Sequence, residues 1–261
     1  MNILIVGRGW LGKKMFSELS SRNHIVTLCS HTNALPILDP TSKFDWVVNC
    51  AGATGTPNVD ACELRRRETI QANSIFPILL SQRCDELGIK FAHFSSGCIY
   101  YGNILDVNEE PNYFGSVYSV SKGISDVYLL GRSLLFRVRM PFSSVDEPKN
   151  LLTKLTNYSR TGKLVEGGLN SITDIDEAAI VACEYIEENN FGVVNLVNNG
   201  SVTTHEISDM LGLTPEWYTD DEFSLVAKAK RSNCTIPANS GMRDVRVALK
   251  EAINKMRGNH V

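Results

Sequence analysis

Short apolar runs alternate with segments of helical periodicity along the first 140 residues of the chain. Apolar runs of this length, bounded by polar or turn-forming residues, predict buried strands, and the longer amphipathic segments predict helices. The predicted strands cover residues 1–6, 24–29, 44–50, 90–95 and 134–139, and the predicted helices cover 13–21, 59–87 and 118–130. Strands that alternate with helices indicate an α/β fold with a doubly wound, parallel, right-handed sheet of the Rossmann-like kind.

Prolines modify two of these segments. Residues 32–43 contain Pro36 and Pro40 and are predicted to form a loop. Within 59–87, Pro77 and the polar stretch 71–73 are expected to break or bend the helix, because proline cannot donate the helical hydrogen bond.

The last third of the chain has a different pattern. Helices are predicted over 176–188, 203–211, 221–228 and 242–256, with one strand over 192–197. We therefore expect residues 1–148 to form the Rossmann-like domain. Residues 149–261 should mainly form a smaller C-terminal lobe, with some segments returning to the sheet.

Composition narrows the class of protein. A net charge of −3 over 261 residues gives no electrostatic reason to expect binding to nucleic acid or to an anionic membrane. No apolar run approaches the ~20 residues that span a bilayer, and the N-terminus lacks the features of a secretory signal. Seven scattered cysteines, without a Cys-x-x-Cys pair or zinc-type spacing, favour free thiols in the cytoplasm and no metal site.

A glycine-rich motif follows the first strand. Residues 7–12, Gly7-Arg8-Gly9-Trp10-Leu11-Gly12, have the form G-x-G-x-x-G and lead into a helix. Glycines in this position allow a tight turn and close approach of the backbone to a pyrophosphate, which the helix N-terminus attracts. The motif predicts a dinucleotide site, and the alternative is a glycine-rich turn without a ligand.

The residues after the second strand favour NADP(H) over NAD(H). NAD-binding proteins usually carry Asp or Glu here for the ribose hydroxyls, whereas this chain has Cys29-Ser30-His31-Thr32. No carboxylate would repel a 2′-phosphate, and Arg8 in the glycine loop could reach one. Alternatively, Arg8 is solvated and Ser30 only caps a turn.

The helix that begins near Tyr118 carries the most chemically informative pair. Tyr118 and Lys122 are four residues apart and should share one helix face. A neighbouring cation lowers the pKa of a tyrosine and makes it a usable general acid. Ser96, at the end of the fourth strand, could hydrogen-bond the same carbonyl oxygen as Tyr118. The alternatives are a strand-capping serine and a solvated lysine.

These features resemble the extended short-chain dehydrogenases/reductases. More narrowly, the chain resembles the nucleotide-sugar epimerase-reductases that complete L-rhamnose synthesis, relatives of dTDP-4-dehydrorhamnose reductase. The narrower match rests on Gly9-Trp10-Leu11-Gly12, Pro57-Asn58-Val59-Asp60, Gly97-Cys98-Ile99, Arg137-Val138-Arg139-Met140-Pro141 and Arg231-Ser232-Asn233. In two respects the chain departs from the family: its glycine loop is one residue shorter, and the segment between Tyr101 and Tyr118 is short.

The resemblance implies catalytic roles for five residues. Ser96, Tyr118 and Lys122 would reduce a carbonyl with hydride from NADPH. Cys98 and Lys154 would form the acid/base pair that epimerises the carbons beside a 4-keto group. Because reactive thiols need a nearby cation, Lys154 is the expected neighbour of Cys98; the alternative for Cys98 is an inert core thiol.

The resemblance also implies binding residues. The cofactor would contact Gly7, Arg8, Gly9, Trp10, Leu11, Ser30, His31, Asn49, Cys50, Ala51, Gly52, Asn73, Tyr118, Lys122, Arg139 and Pro141. The substrate would contact Thr54, Ser96, Gly97, Cys98, Asn150, Lys154, Arg231 and Asn233. Arg231 suits a diphosphate by bidentate hydrogen bonding, although the residue alone could equally be a surface arginine.

The expected function is therefore conversion of a nucleotide-linked 4-keto-6-deoxy-D-glucose, UDP- or dTDP-linked, to the L-rhamnose nucleotide. The reaction would combine 3,5-epimerisation with NADPH-dependent 4-reduction. By resemblance the protein would be a cytoplasmic homodimer that acts after a separate 4,6-dehydratase. Two alternatives are a 4-keto reductase or 4-epimerase without 3,5-epimerisation, and a cofactor-binding regulatory subunit without turnover.

Overall fold

A computed structural model describes residues 1–258, and its centre is a six-stranded parallel sheet with the order β2-β1-β3-β4-β6-β10. The strands are β1 Asn2–Val6, β2 Ile25–Cys29, β3 Trp46–Asn49, β4 Lys90–Ser96, β5 Gly102–Asn103, β6 Leu134–Val138, β7 Pro141–Phe142, β8 Lys163–Val165, β9 Thr173–Asp174, β10 Gly192–Leu196, β11 Glu216–Tyr218 and β12 Cys234–Thr235. The expected α/β class and parallel sheet are confirmed.

Helices cover both faces of this sheet and build a second packed region. They are α1 Trp10–Ser21, α2 His31–Ile37, α3 Asp60–Leu64, α4 Arg66–Ile70, α5 Phe76–Leu87, α6 Val117–Leu129, α7 Leu151–Thr161, α8 Ile175–Glu187, α9 Thr204–Leu211, α10 Asp220–Val226 and α11 Val245–Gly258. Among residues 1–258, no helix has the length and apolarity needed to cross a membrane.

The alternation of side chains along β1 explains why both faces are buried. Ile3 and Ile5 pack with Met15 of α1 on one face, while Leu4 and Val6 join the cluster on the other face. A parallel sheet needs such two-sided cover, because its connecting helices lie on its faces.

The loop predicted over residues 32–43 is wrong in its first half, where α2 occupies His31–Ile37 with Pro36 inside it. Ala34 and Leu38 are fully or almost fully buried and pack against the sheet. Pro36 costs this helix one hydrogen bond, the one that an N–H at position 36 would have donated to the Thr32 carbonyl. Packing against the core therefore outweighs the proline signal.

The segment predicted as one long helix is divided into shorter pieces. One break falls at Arg65, between α3 and α4. The break expected around residues 71–73 is confirmed as a π-helical turn, Gln71–Ile75, and Pro77 lies in the first turn of α5. The π-turn contains Asn73, which it presents to the loop after β3.

Two segments of the last third return to the sheet. Strand β10 pairs in parallel with β6, and α8 contributes Ala178, Ala179 and Ala182 to the cluster that contains Met15 of α1. A separate cluster joins α7, α9 and α11 through Leu152, Ile207 and Leu249, among other residues. The cleft described below borders this second cluster.

Candidate active site

The glycine loop lies at the carboxyl edge of the sheet, where the chain leaves β1. Gly7 has a φ of +112°, and a side chain there would approach the Ala51 backbone nitrogen to 2.7 Å. A side chain at Gly12 would reach the Gly7 carbonyl oxygen at 1.8 Å. Both positions therefore require glycine, because the loop, the start of α1 and the end of β3 are packed backbone to backbone.

The same loop fits a dinucleotide. Gly9 is exposed, and a side chain placed on it would meet nothing within 4 Å. In the described part of the chain the N-terminus of α1 has no side-chain cap, so its first N–H groups lack a side-chain acceptor at the sheet edge. Arg8 and His31 are exposed beside this space and Ser30 is half-buried. These residues would hold the pyrophosphate and the 2′-phosphate of a dinucleotide, so NADP(H) is the cofactor that suits this site.

Two buried asparagines fix the loop that follows β3. The Asn49 Oδ1 accepts a hydrogen bond from the Ala51 N–H at 3.0 Å. The Asn73 side chain accepts from the Ala53 N–H at 2.8 Å and donates to the Ala53 carbonyl at 2.9 Å. Gly52 between them stays exposed, and a side chain there would approach the Lys122 Nζ to 3.3 Å. The loop backbone thus closes over Lys122.

Helix α6 presents Tyr118, Lys122 and Asp126 on one buried face, as the four-residue spacing predicts. Its N-terminus is capped by Ser116, whose Oγ accepts from the Ser119 N–H at 3.1 Å. The Lys122 Nζ donates to the Phe94 carbonyl at 2.9 Å. Burial lowers the pKa of Lys122 to about 8, although Asp126 acts to raise it.

The expectation that Lys122 lowers the pKa of Tyr118 is wrong in this structure. Burial raises the pKa of the Tyr118 phenol and is the largest influence on it, and Lys122 is not among its main influences. The Ser96 side chain acts in the opposite direction. Ser96 is itself buried, and its Oγ accepts from the Cys98 N–H at 3.1 Å. A raised pKa keeps Tyr118 protonated at neutral pH, as a proton donor must be.

A buried ion pair beside helix α6 was not predicted from the sequence. The Arg137 Nε donates to Asp126 Oδ2 at 3.0 Å, and the Ser95 Oγ donates to the same oxygen at 2.5 Å. Both charged side chains are 1% exposed. The spacing of Asp126 from Lys122 was a usable signal, since it puts both residues on one helix face.

A cleft of about 430 Å³ opens beside Tyr118. It brings together six of the predicted site residues: Cys98, Tyr118, Arg139, Lys154, Arg231 and Asn233. They come from widely separated parts of the chain, so the fold assembles the cleft from both packed regions.

Arg139 provides the cation that contacts Cys98. Its Nη1 donates to the Cys98 Sγ at 3.3 Å, whereas Lys154 was the neighbour expected from the sequence. Lys154 lines the same cleft and is half-buried. Burial lowers the pKa of Lys154, and the cations Lys149 and Arg231 lower it further.

Arg231 already has a carboxylate partner. Its Nη1 and Nη2 donate to the two carboxylate oxygens of Asp60 at 2.8 and 3.0 Å. Asp60 also accepts from the Ala229 N–H at 2.9 Å. Burial acts to raise the pKa of Asp60, but these hydrogen bonds hold it below its ordinary value. The pair fastens the loop before Arg231 to the start of α3, at the rim of the cleft.

Other predicted residues have local roles in the structure. Asn150 is fully buried and caps α7, accepting from the Leu152 N–H at 3.0 Å and donating to the carbonyls of Ser143 and Val145. Pro141 begins the short strand β7. The Thr54 Oγ1 is buried without a partner in the described part of the chain, and Thr54 does not line the cleft.

Fold and site together define the class: a Rossmann-like protein with the Ser96, Tyr118 and Lys122 set of a short-chain dehydrogenase/reductase. Comparison with known proteins then gives the family. Residues 1–249 match the model of the RmlD substrate binding domain, so the chain belongs to that family.

Two relatives from a plant are named for reactions of 4-keto or 4-dehydro sugar nucleotides. A bifunctional dTDP-4-dehydrorhamnose 3,5-epimerase/dTDP-4-dehydrorhamnose reductase of Arabidopsis thaliana is 32% identical over 91% of this chain and 85% of its own length. A trifunctional UDP-glucose 4,6-dehydratase/UDP-4-keto-6-deoxy-D-glucose 3,5-epimerase/UDP-4-keto-L-rhamnose-reductase of the same plant is 30% identical over 98% of this chain. The chain spans only 41% of that relative's length.

A solved structure supports the same placement. The UDP-rhamnose synthase L780 of Acanthamoeba polyphaga mimivirus superposes with a TM-score of 0.88 at 25% identity, over 98% of this chain and 99% of that one. A dTDP-4-dehydrorhamnose reductase from Clostridium acetobutylicum, at 22% identity and a TM-score of 0.82, shares the fold.

Proposed function

We propose that this protein is an NADPH-dependent epimerase-reductase of nucleotide-linked deoxysugars. It converts a 4-keto-6-deoxy-D-glucose nucleotide to the L-rhamnose nucleotide by 3,5-epimerisation followed by 4-reduction. The observation that carries the proposal is the cleft itself, which Tyr118, Cys98 and Lys154 line together beside the buried Lys122. One bound sugar can meet a proton donor for reduction and an acid/base pair for epimerisation.

Reduction needs Ser96, Tyr118 and Lys122. When bound, NADPH supplies the hydride to the C4 carbonyl carbon. Ser96 orients the carbonyl oxygen by a hydrogen bond, and Tyr118 donates its phenolic proton to that oxygen as negative charge develops there. The Lys122 ammonium, one helical turn from Tyr118, holds the nicotinamide ribose through its N–H donors.

Epimerisation needs groups on both faces of the sugar ring. The C3 and C5 protons are acidic because the 4-keto group accepts the carbanion charge as an enolate. Ser96 and Tyr118 donate hydrogen bonds to that enolate oxygen. Cys98 and Lys154 remove and return the carbon proton from opposite sides. A 4-keto reductase without epimerisation remains the second candidate, because the reducing residues do not require Cys98.

We propose that the preferred substrate is linked to UDP, with a dTDP-linked sugar as the alternative. The trifunctional plant relative and the mimivirus enzyme are named for UDP-linked sugars, whereas the bifunctional plant relative is named for dTDP-linked sugars. In either case the substrate is the product of a 4,6-dehydration of a nucleotide-linked glucose, so a separate dehydratase reaction must precede this one. Free thiols at all seven cysteines support a reducing cytoplasm as the setting.

We further propose a homodimer formed through α3–α6. Apolar side chains on these helices are more than one-third exposed, as expected for a protein interface: Leu64, Ile70, Ile75, Leu79, Ile124 and Val127. Sedimentation analysis should give the dimer mass, and an Ile124→Glu and Val127→Glu double variant should give the monomer. A monomeric unmodified protein would exclude this interface.

The product sugar tests the proposed function. Incubation with NADPH and UDP-4-keto-6-deoxy-D-glucose should yield UDP-L-rhamnose, and the dTDP substrate should be used less efficiently. Tyr118→Phe keeps the ring and should still bind NADPH, but should reduce the substrate at least ~100-fold more slowly. A 6-deoxy-D-sugar product would mean reduction without epimerisation. No turnover of either substrate would favour the regulatory-subunit alternative.

A further inference from the structure

Arg139 is a buried cation whose neighbours are almost all neutral. It is 1% exposed. Its Nη2 donates to the Ser232 carbonyl at 2.7 Å and to the Asn170 side chain, and its Nη1 donates to the Ser232 Oγ and the Cys98 Sγ, both at 3.3 Å. Within residues 1–258 it forms no ion pair with a carboxylate. Its charge therefore lacks a fixed counterion.

Arg137, two residues earlier, shows the usual arrangement. It is equally buried, but Asp126 neutralises it through two hydrogen bonds. Taking a guanidinium out of water is unfavourable unless an anion compensates for it. The contrast between two equally buried arginines indicates that an anion belongs beside Arg139. Among the groups hydrogen-bonded to Arg139, the one that can become an anion is the Cys98 thiol. The other titratable groups that act on both residues are Tyr113, Tyr118 and Cys234, and burial raises the pKa of each, which keeps them neutral.

The geometry of Arg139 also points to the cleft. The side chain lines the cleft that Tyr118 and Lys154 share, and its Nε is buried without a hydrogen-bond partner in the described residues. A buried donor without a partner is rare in folded proteins and calls for a specific explanation. The unused donor and the unpaired charge are therefore both buried in the wall of the cleft that Tyr118 and Lys154 share.

We propose that Arg139 is the positioning residue that holds Cys98 in its thiolate form and so makes Cys98 the base of the epimerisation. This inference deepens the proposed function and rests on it for the identity of the reaction. Arg139 is suited to the role because a guanidinium keeps its charge throughout the neutral range and cannot compete for the substrate proton.

The proton transfers balance with these assignments. The Cys98 thiolate takes the proton from C3 or C5. The electron pair of that carbon–hydrogen bond forms a double bond to C4, and the carbonyl oxygen becomes the enolate oxygen. The Lys154 ammonium then donates a proton to the opposite face of the same carbon. The Cys98 thiol and the Lys154 amine that result are returned to thiolate and ammonium by a net proton transfer through water.

Lys154 fits the acid role better than the role of counterion. Burial is the main cause that lowers its pKa, with added repulsion from Lys149 and Arg231. A lysine with a lowered pKa gives up its proton more readily than an ordinary one. The two cations of the cleft therefore have separate tasks, one holding the thiolate and the other supplying the proton.

Alkylation of Cys98 tests the inference without any turnover. The full-length protein and its variants are treated with iodoacetamide across a pH series, and the Cys98 peptide is followed by mass spectrometry. Arg139→Gln should slow alkylation at pH 7 by at least about tenfold and move the half-maximal rate to higher pH by about one pH unit. Lys154→Gln is the matched control and should change both values much less. An unchanged profile in Arg139→Gln, or a larger change in Lys154→Gln, would overturn the inference.

A second pair of variants keeps Arg139 in place. Cys98→Asp puts a carboxylate, ionised at pH 7, where the thiolate is proposed, and Cys98→Asn is its uncharged counterpart of the same shape. Cys98→Asp should unfold at the higher urea concentration at pH 7, because its carboxylate pairs with Arg139. This advantage should disappear as the pH falls through the lowered pKa of the new carboxyl group. Equal midpoints, or a lower midpoint for Cys98→Asp, would contradict the inference.

These measurements separate the inference from the proposed function. If Arg139 controls alkylation but the protein exchanges no C3 or C5 protons, the thiolate contact holds and the epimerase proposal fails. If Cys98 is needed for exchange but its alkylation is independent of Arg139, the epimerase proposal holds and this inference fails.

Discussion

At the scale of single residues, burial sets the charge of Lys122. The side chain is 4% exposed, and its ammonium group is held by one carbonyl hydrogen bond, with Asp126 one turn further along α6. Burial penalises the charged form and lowers the pKa to about 8, against an ordinary value of 10.5. The charge of Lys122 is thus poised to change within the range in which the protein can be assayed.

This pKa predicts how reduction depends on pH. Below about 8, Lys122 is protonated and can hold the nicotinamide ribose as a cation; above it, the lysine is neutral and this charged contact is lost. The rate of NADPH oxidation at saturating substrate should therefore fall as the pH rises through about 8. In Lys122→Arg, any residual activity should lack this decrease, because arginine stays charged. A rate that stays constant up to pH ~10 in the unmodified protein would exclude the role given to Lys122.

At the scale of elements, the turn between β1 and α1 should set the choice of cofactor. Arg8 is exposed there, and no carboxylate occurs among residues 29–33 at the end of β2. NADPH should therefore bind more tightly than NADH, and Arg8→Ala should narrow the difference by weakening NADPH binding alone. Lys13→Ala is a suitable control, since Lys13 lies in α1 beyond the loop. Equal dissociation constants for the two cofactors in the unmodified protein would refute the assignment.

The Asp60–Arg231 pair connects α3 to the loop that borders the cleft. Asp60→Asn keeps the shape but removes the charge, so it should loosen residues 228–231 and misplace Arg231. We expect KM for the nucleotide sugar to rise about tenfold, with kcat changed less than threefold, because the reacting groups do not contact Asp60. The exposed pair of Arg246 and Glu206 provides a control: Glu206→Gln should leave both constants unchanged. A fall in kcat at constant KM would place Asp60 in the chemistry instead.

Elements that follow from local pattern could be predicted, and those that depend on tertiary packing could not. The strands of the sheet and helices α1, α6 and α8 have periodicity strong enough to be found within a few residues. Helix α2 was missed because Pro36 and Pro40 are valid loop signals, and only the buried Ala34 and Leu38 explain why a helix forms.

At the scale of the whole molecule, the site joins residues that lie far apart in the sequence. Tyr118 and Lys122 could be paired from their spacing alone, since a helix fixes their relation. The contact of Arg139 with Cys98 spans 41 residues, and its contact with Ser232 spans 93. No local pattern encodes such contacts. From the sequence alone, Lys154 was therefore expected beside Cys98, and no carboxylate partner was predicted for Arg231.

We propose that the same long-range assembly places reduction and epimerisation in one cleft. If Cys98 and Lys154 act only on the C3 and C5 protons, then hydride transfer does not need them. Cys98→Ala removes one acid/base group and leaves Ser96, Tyr118 and Lys122 in place.

Deuterium exchange tests this claim most directly. In heavy water and without NADPH, the unmodified protein should place deuterium at C3 and C5 of the 4-keto sugar, detected by NMR or mass spectrometry. In Cys98→Ala the rate of this exchange should be lower by on the order of 100-fold. The variant should still oxidise NADPH when given an already epimerised 4-keto sugar. Undiminished exchange in Cys98→Ala would contradict the account and leave the protein a reductase alone.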